Sequence, residues 1–174
     1  MRQTCWIAGV ALLLALVQGC VVPTAAKPAE GDRLLDFGLF TLDGQKTSLA
    51  EATRGKVAVI KFGASWCPYC TKQIPHLNQL AAAYPKDLVA VIDINLQEDL
   101  KTAQAYARKS EVAYTMLLDP RGTGAAIYNI SSIPVTLIAG PDGTIAYRGQ
   151  YSTFNQMNGV VAPLVEKLKA ESRK

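Results

Sequence analysis

The stretch Trp66-Cys67-Pro68-Tyr69-Cys70 sets two thiols, two residues apart, at the seam between two kinds of pattern. Before it, Lys56 to Phe62 is apolar except at Lys61, which predicts a strand buried on both faces. After it, Ile74, Leu77, Leu80, Ala81 and Tyr84 recur at helical spacing and predict a helix from Pro68 to Tyr84. Pro68 suits a first helical turn, where a missing N–H costs nothing. Pro75 removes one hydrogen bond inside the helix and predicts a kink. A thiolate at a helix start meets unpaired N–H groups and the positive end of the helix dipole, so its pKa falls. A second thiol one turn on is placed to attack any mixed disulfide made by the first.

The remaining pattern alternates. Leu35–Leu42 and Gln45–Leu49 flank Asp43-Gly44 and predict a hairpin. Asp87–Ile94 reads as a second buried strand, Asp99–Lys109 as a helix, Thr115–Leu118 as a short strand and Ala125–Tyr128 as a turn of helix. Val135–Ala139 and Thr144–Arg148 flank Pro141-Asp142-Gly143 as another hairpin, and Phe154–Lys169 reads as a closing helix. This order predicts an α/β fold with a mixed central sheet and helices on both faces.

The N-terminus is a separate matter. Residues 6–17 form an apolar run preceded by Arg2, which reads as a secretory signal and is short of the roughly 20 residues a membrane span needs. The run ends Leu16-Val17-Gln18-Gly19-Cys20, which resembles a bacterial lipobox. That resemblance implies a signal over 1–19, a lipid on Cys20 and a membrane-anchored mature protein. Ordinary cleavage nearby is the alternative, leaving Cys20 as a free thiol. Val21, where an Asp would argue for inner-membrane retention, points toward the outer membrane. Residues 20–33 carry Pro, Ala and charge without periodicity and read as a flexible tether of about 40 Å when extended. The domain proper is expected over 34–174.

With Cys5 in the signal and Cys20 lipidated, only Cys67 and Cys70 remain for the domain. Two cysteines and one histidine, His76, are too few for a structural zinc site, so neither metal nor cofactor is expected. The net charge of +4 is scattered, and the cluster Lys167, Lys169, Arg173, Lys174 reads as a solvated helix end. No nucleic-acid footprint appears.

In its hairpin opening, its Trp66-Cys67-Pro68-Tyr69-Cys70 with Pro75 following, its strand and helix over 87–109 and its Ile133-Pro134-Val135-Thr136, the chain resembles the TlpA/ResA type of extracytoplasmic thioredoxin-fold protein. The likeness runs from about Leu34 to Leu168. It implies a thioredoxin fold with an N-terminal hairpin and a TlpA-type β-α insertion. It implies a redox-active Cys67–Cys70 disulfide, with Cys67 as nucleophile and Cys70 as the resolving thiol. Pro134 matches the family's cis-proline, whose preceding residue, here Ile133, offers backbone groups to an extended peptide. A trans proline at a strand start is the alternative. Trp66 and Tyr69 are expected at the docking rim.

The chain departs from its relatives at two carboxylates. Lys61 stands where thioredoxin has a buried carboxylate. Charged, it would favour thiolate; neutral, it would be a base; or its stem packs while its amine snorkels to water. Gln73 replaces the ResA-type Glu after the second cysteine; with Lys61 it is a candidate for tuning the thiol pKa values, since an amide hydrogen-bonds although it shuttles no proton at neutral pH. His76 reads as a rim or solvent-facing residue.

The resemblance implies a monomeric enzyme of the bacterial cell envelope, facing the periplasm. It would reduce protein disulfides with electrons from a DsbD/CcdA-type membrane donor. A DsbA-like oxidase is the rival, although the span from Cys70 to Pro134 has room for one added strand–helix unit rather than a helical domain. A Sco-like copper chaperone would carry three residues between its cysteines and a downstream histidine. A peroxiredoxin-type peroxidase would need a Thr where Ala64 stands.

Overall fold

A computed structural model describes residues 27–173. The expected signal peptide (1–19), Cys20 and the first part of the tether lie outside the described residues.

The element order is β1 (Gly38–Thr41), β2 (Lys46–Ser48), α1 (Leu49–Thr53), β3 (Val57–Gly63), α2 (Pro68–Ala83), β4 (Val89–Leu96), α3 (Leu100–Lys109), β5 (Thr115–Asp119), α4 (Thr123–Ile127), β6 (Val135–Ala139), β7 (Ile145–Gly149) and α5 (Phe154–Glu171). The strands form one mixed sheet in the order β2-β1-β5-β4-β3-β6-β7. The apolar runs β3 and β4 lie side by side, parallel, near its middle, and β6 closes on β3 antiparallel. This is the thioredoxin fold with an N-terminal hairpin; β4, expected as part of an added strand–helix unit, is instead the central strand beside β3, and β5 is the strand that extends the sheet beyond it.

Period-two alternation along β3 divides the core into two layers. Ala58, Ile60 and Phe62 join Ile92, Ile94, Leu137, Phe37 and Tyr128 on the face covered by α1 and α4. Val57 and Val59 join Val91, Ile138, Leu77, Leu80, Met157 and Val161 on the face covered by α2 and α5. Beside them Ile74 of α2 packs on Ala103 and Tyr106 of α3 and Met116 of β5.

Helix starts are set by local capping. Asp99 accepts from Thr102 N–H at 2.7 Å ahead of α3, and Thr153 with Gln156 forms a capping box ahead of α5. The five-residue α1, capped by Ser48, is too short to leave a periodic pattern in the sequence. Pro75 lies within α2, which nevertheless runs on to Ala83.

The composition of 28–33 reads as tether, but the structure lays this segment on the sheet. Gly31 N–H donates to Ile145 O at 2.9 Å, and Ile145 N–H donates to Asp32 O at 2.8 Å. β7 is an edge strand with free backbone groups, and the segment satisfies some of them. Among the described residues no helix is long and apolar enough to cross a membrane.

Candidate active site

β3 delivers the chain to the top of the sheet, and a short turn hands it to α2. Cys67 is the N-cap of α2, with φ −91° and ψ 111°. Its Sγ accepts from Cys70 N–H at 3.2 Å, the contact that favours charge on a capping sulfur. Cys67 and Cys70 are joined as a disulfide. Cys67 keeps 4% exposure and Cys70 none. Trp66 and Tyr69, by contrast, stand 72% and 61% exposed on either side of Cys67. The Ile133–Pro134 peptide bond is cis, and the Ile133 carbonyl oxygen lies 3.7 Å from Cys67 Sγ. Trp66, Cys67, Tyr69, Ile130 and Ile133 border a largely apolar cleft of about 500 Å³. The sequence-predicted pair, its aromatic neighbours and the proline loop thus meet at one end of the sheet.

Beneath Cys70 lies a polar row. Register places Lys61 of β3 opposite Asp93 of β4 on one side and Thr136 of β6 on the other. All three share the face that α2 covers, and all are at most 1% exposed. Lys61 Nζ is 2.5 Å from Asp93 Oδ2 and donates to Cys70 O at 3.4 Å. The amine does not snorkel outward, because its strand is central and α2 seals the way out. Burial raises the Asp93 pKa above the ordinary carboxylate range, against the opposing pull of the Lys61 ammonium. Gln73, wholly buried, donates to Thr136 Oγ1 at 2.8 Å and so ties α2 to β6. That bond makes it a brace across the site.

Gly63 explains how the row approaches the disulfide. A Cβ there would come 3.1 Å from Lys61 Cε and 3.2 Å from Cys70 Sγ. A side chain there would press on both, so glycine lets Lys61 and Cys70 border the same space without either giving way.

Two further residues act on the site without having been singled out in the sequence. Asp93 is one; a charge inside the apolar run of β4, like Lys61 inside β3, was its signal, since two lone charges on buried strands imply a pair. Glu98 is the other. Its carboxylate accepts from Ser65 N–H at 2.9 Å, from Ser65 Oγ at 2.5 Å and from Asn95 Nδ2 at 2.6 Å. It fastens the turn before Cys67 to the end of β4. No sequence pattern marks it, because the bond spans 33 residues. His76 is away from the sulfurs and faces Tyr151 Oη at 3.1 Å. Among the described residues no group of His, Cys, Asp and Glu is arranged to hold a metal.

The AhpC/TSA family profile matches residues 31–148. The chain is 32% identical over 149 residues to the thioredoxin-like protein YneN of Bacillus subtilis, covering 80% of this chain and 86% of that one. It is 26% identical over 117 residues to the thiol-disulfide oxidoreductase ResA of Geobacillus kaustophilus, 67% of each. Among solved structures it resembles a secreted Mycobacterium tuberculosis disulfide oxidoreductase homologous to E. coli DsbE. That match has a TM-score of 0.63 and 31% identity, covering 73% of this chain and 95% of the other.

Proposed function

The chain belongs to the AhpC/TSA family and is a thiol–disulfide oxidoreductase of the ResA/DsbE type, and on that premise we propose that it reduces protein disulfides outside the cytoplasm from a lipid anchor on Cys20. The observation that carries the chemistry is Cys67 Sγ at the start of α2, receiving the Cys70 N–H and facing the Ile133 carbonyl.

In the reduced enzyme the Cys67 thiolate attacks one sulfur of a substrate disulfide. A Cys67–substrate disulfide forms and the other substrate sulfur leaves as thiolate, taking a proton from water. Cys70 gives its proton to the hydroxide so left in solvent, and its thiolate then attacks Cys67 Sγ. The second substrate thiolate leaves, and Cys67–Cys70 closes with two electrons transferred. The backbone of Ile133 would hold an extended peptide strand across the cleft, with Trp66 and Tyr69 gripping its flanks. The Lys61 ammonium, held by Asp93, favours the Cys70 thiolate at the moment of attack. Electrons return from a membrane dithiol donor of the DsbD/CcdA kind, and the enzyme works as a monomer. The likeness to a secreted Mycobacterium tuberculosis disulfide oxidoreductase supports a periplasmic face, and Val21 supports the outer membrane. The span between α2 and β6 holds only β4, α3, β5 and the short α4, with no helical domain, which supports reduction over DsbA-like oxidation.

Equilibration of Cys67–Cys70 with glutathione or dithiothreitol buffers tests the direction. A potential near thioredoxin's, about −270 mV, supports the reductase, and one near DsbA's, about −120 mV, overturns it.

A further inference from the structure

We infer that the N-terminal segment delivers the membrane anchor to the active-site end of the molecule, so that the Cys67 rim faces the bilayer and serves membrane-held protein partners. This rests on the reading that Cys20 carries the lipid.

The direction of the segment follows from the sheet. β7 runs antiparallel to β6, with Gly149 opposite Thr136 near the site and Ile145 opposite Ala139 at the far end. At that far end Leu34 N–H donates to Gly143 O at 2.8 Å, and Asp32 and Gly31 bond Ile145. Earlier residues climb β7 toward the site. Arg148 N–H donates to Glu30 Oε1 at 3.3 Å. The Arg148 guanidinium donates to Pro28 O at 3.0 Å and to Tyr128 O at 2.8 Å, clamping the segment to the loop that leads to Ile133. A tight turn of Ala29 to Asp32, with Gly31 at φ +93°, fits the segment to this path. Lys27 then borders a cleft with Ser131 and Ser132. The same two serines border the cleft that holds Cys67.

The docked stretch shortens the leash. From Cys20 to Lys27 is seven residues, about 25 Å fully extended, where a leash free to Leu34 would reach about 50 Å. The seven residues of β3 alone separate the two ends of the sheet by about 20 Å. A lipid on Cys20 therefore keeps the Lys27 corner, beside the cleft that holds Cys67, within about 25 Å of the headgroups, while the far end, at Lys86, can lie about 20 Å beyond that. The partner class that fits is a membrane protein whose disulfide or dithiol lies within about 25 Å of the bilayer surface, met at high effective concentration.

Trp66 is the single tryptophan after residue 19 and sits on the rim, so it reports this directly. The mature chain, residues 20–174, would be joined through Cys20 to a maleimide lipid with Cys67–Cys70 kept as a disulfide. Vesicles of phosphatidylcholine with dansyl headgroups then read energy transfer from tryptophan. Transfer from Trp66 should exceed severalfold that from the far end, read in Trp66→Phe/Lys86→Trp. It should fall severalfold when roughly twenty Gly/Ser residues are inserted before Lys27. Arg148→Ala should lower it in part. Equal transfer from both ends, or transfer indifferent to the insertion, overturns the inference. Mass measurement of the protein from cells separately reads native lipidation. An unlipidated Cys20 would sink the anchoring while leaving the geometric result to stand on its own.

Discussion

Replacing Asp93 with Leu strands the Lys61 ammonium in a sealed site, and replacing Lys61 with Met strands the Asp93 carboxyl. The two groups stand 2.5 Å apart, with side chains 0% and 2% exposed. At an effective dielectric of about 20, unit charges this close attract by about 7 kcal/mol, and taking both from water offsets most of it. The intact pair is thus worth little net, while each half-pair is costly. Asp93→Leu should lose about 3–5 kcal/mol. Lys61→Met has an escape, because the carboxyl can take up a proton. Burial already raises Asp93, and the variant removes the main influence that holds it down. The folded variant then keeps a proton that the unfolded chain releases near pH 4. With more protons bound folded than unfolded, its stability falls as pH rises above that value. The expected loss is about 1–2 kcal/mol near pH 5 and about 3–5 kcal/mol near pH 8. The double variant Lys61→Met/Asp93→Leu should lie within about 2 kcal/mol of wild type and lack this added slope. Urea unfolding of the oxidised protein at both pH values reads these as midpoint shifts at constant slope. Small additive losses below about 1 kcal/mol, or a Lys61→Met loss independent of pH, would mean that Lys61 and Asp93 are not a coupled buried ion pair.

Other perturbations test the neighbouring contacts. In the reduced protein, Lys61→Met should raise the Cys70 thiol pKa, read by thiolate absorbance during a pH titration; unchanged cysteine titrations would remove the pair from the redox chemistry. Glu98→Ala takes the acceptor from Ser65 N–H, Ser65 Oγ and Asn95 Nδ2 and should cost about 2 kcal/mol in thermal unfolding. Exchange with a model disulfide should slow with it, since the turn before Cys67 loses its fastening; a normal rate would show that the turn holds itself. Gly63→Ala should destabilise by about 1–3 kcal/mol and shift the redox potential, because its Cβ presses on Lys61 and Cys70 together. A potential equal to wild type would mean that Lys61 yields without consequence for the sulfurs.

The succession of strands and helices was legible because β3, β4 and β6 are apolar runs bounded by turn residues, and the cysteine pair marks where β3 gives way to α2; the order of strands across the sheet was not. The site was legible where its residues are close in sequence or carried by a family pattern, as Cys67, Cys70, Trp66, Tyr69 and Pro134 are. Residues joined only through strand register were harder to see. Lys61 was visible as an anomaly, yet its partner Asp93 becomes evident only when β3 and β4 lie in register. Gln73 reads as a lost carboxylate in the sequence and as a brace to Thr136 in the fold. Residues 28–33 lack any periodic pattern, because their structure comes from the edge of β7 and from Arg148, more than a hundred residues away.

A reductase must hold Cys67–Cys70 as thiols in the cell in order to pass electrons to protein disulfides outside the cytoplasm. Acid quenching of intact cells, followed by alkylation with a mass-bearing maleimide, counts the free thiols of this pair as it stands in the envelope. Cys67 and Cys70 should be mostly reduced, and should become oxidised when the membrane donor is removed. A pair found mostly as disulfide in cells with the donor intact would contradict a reductase role.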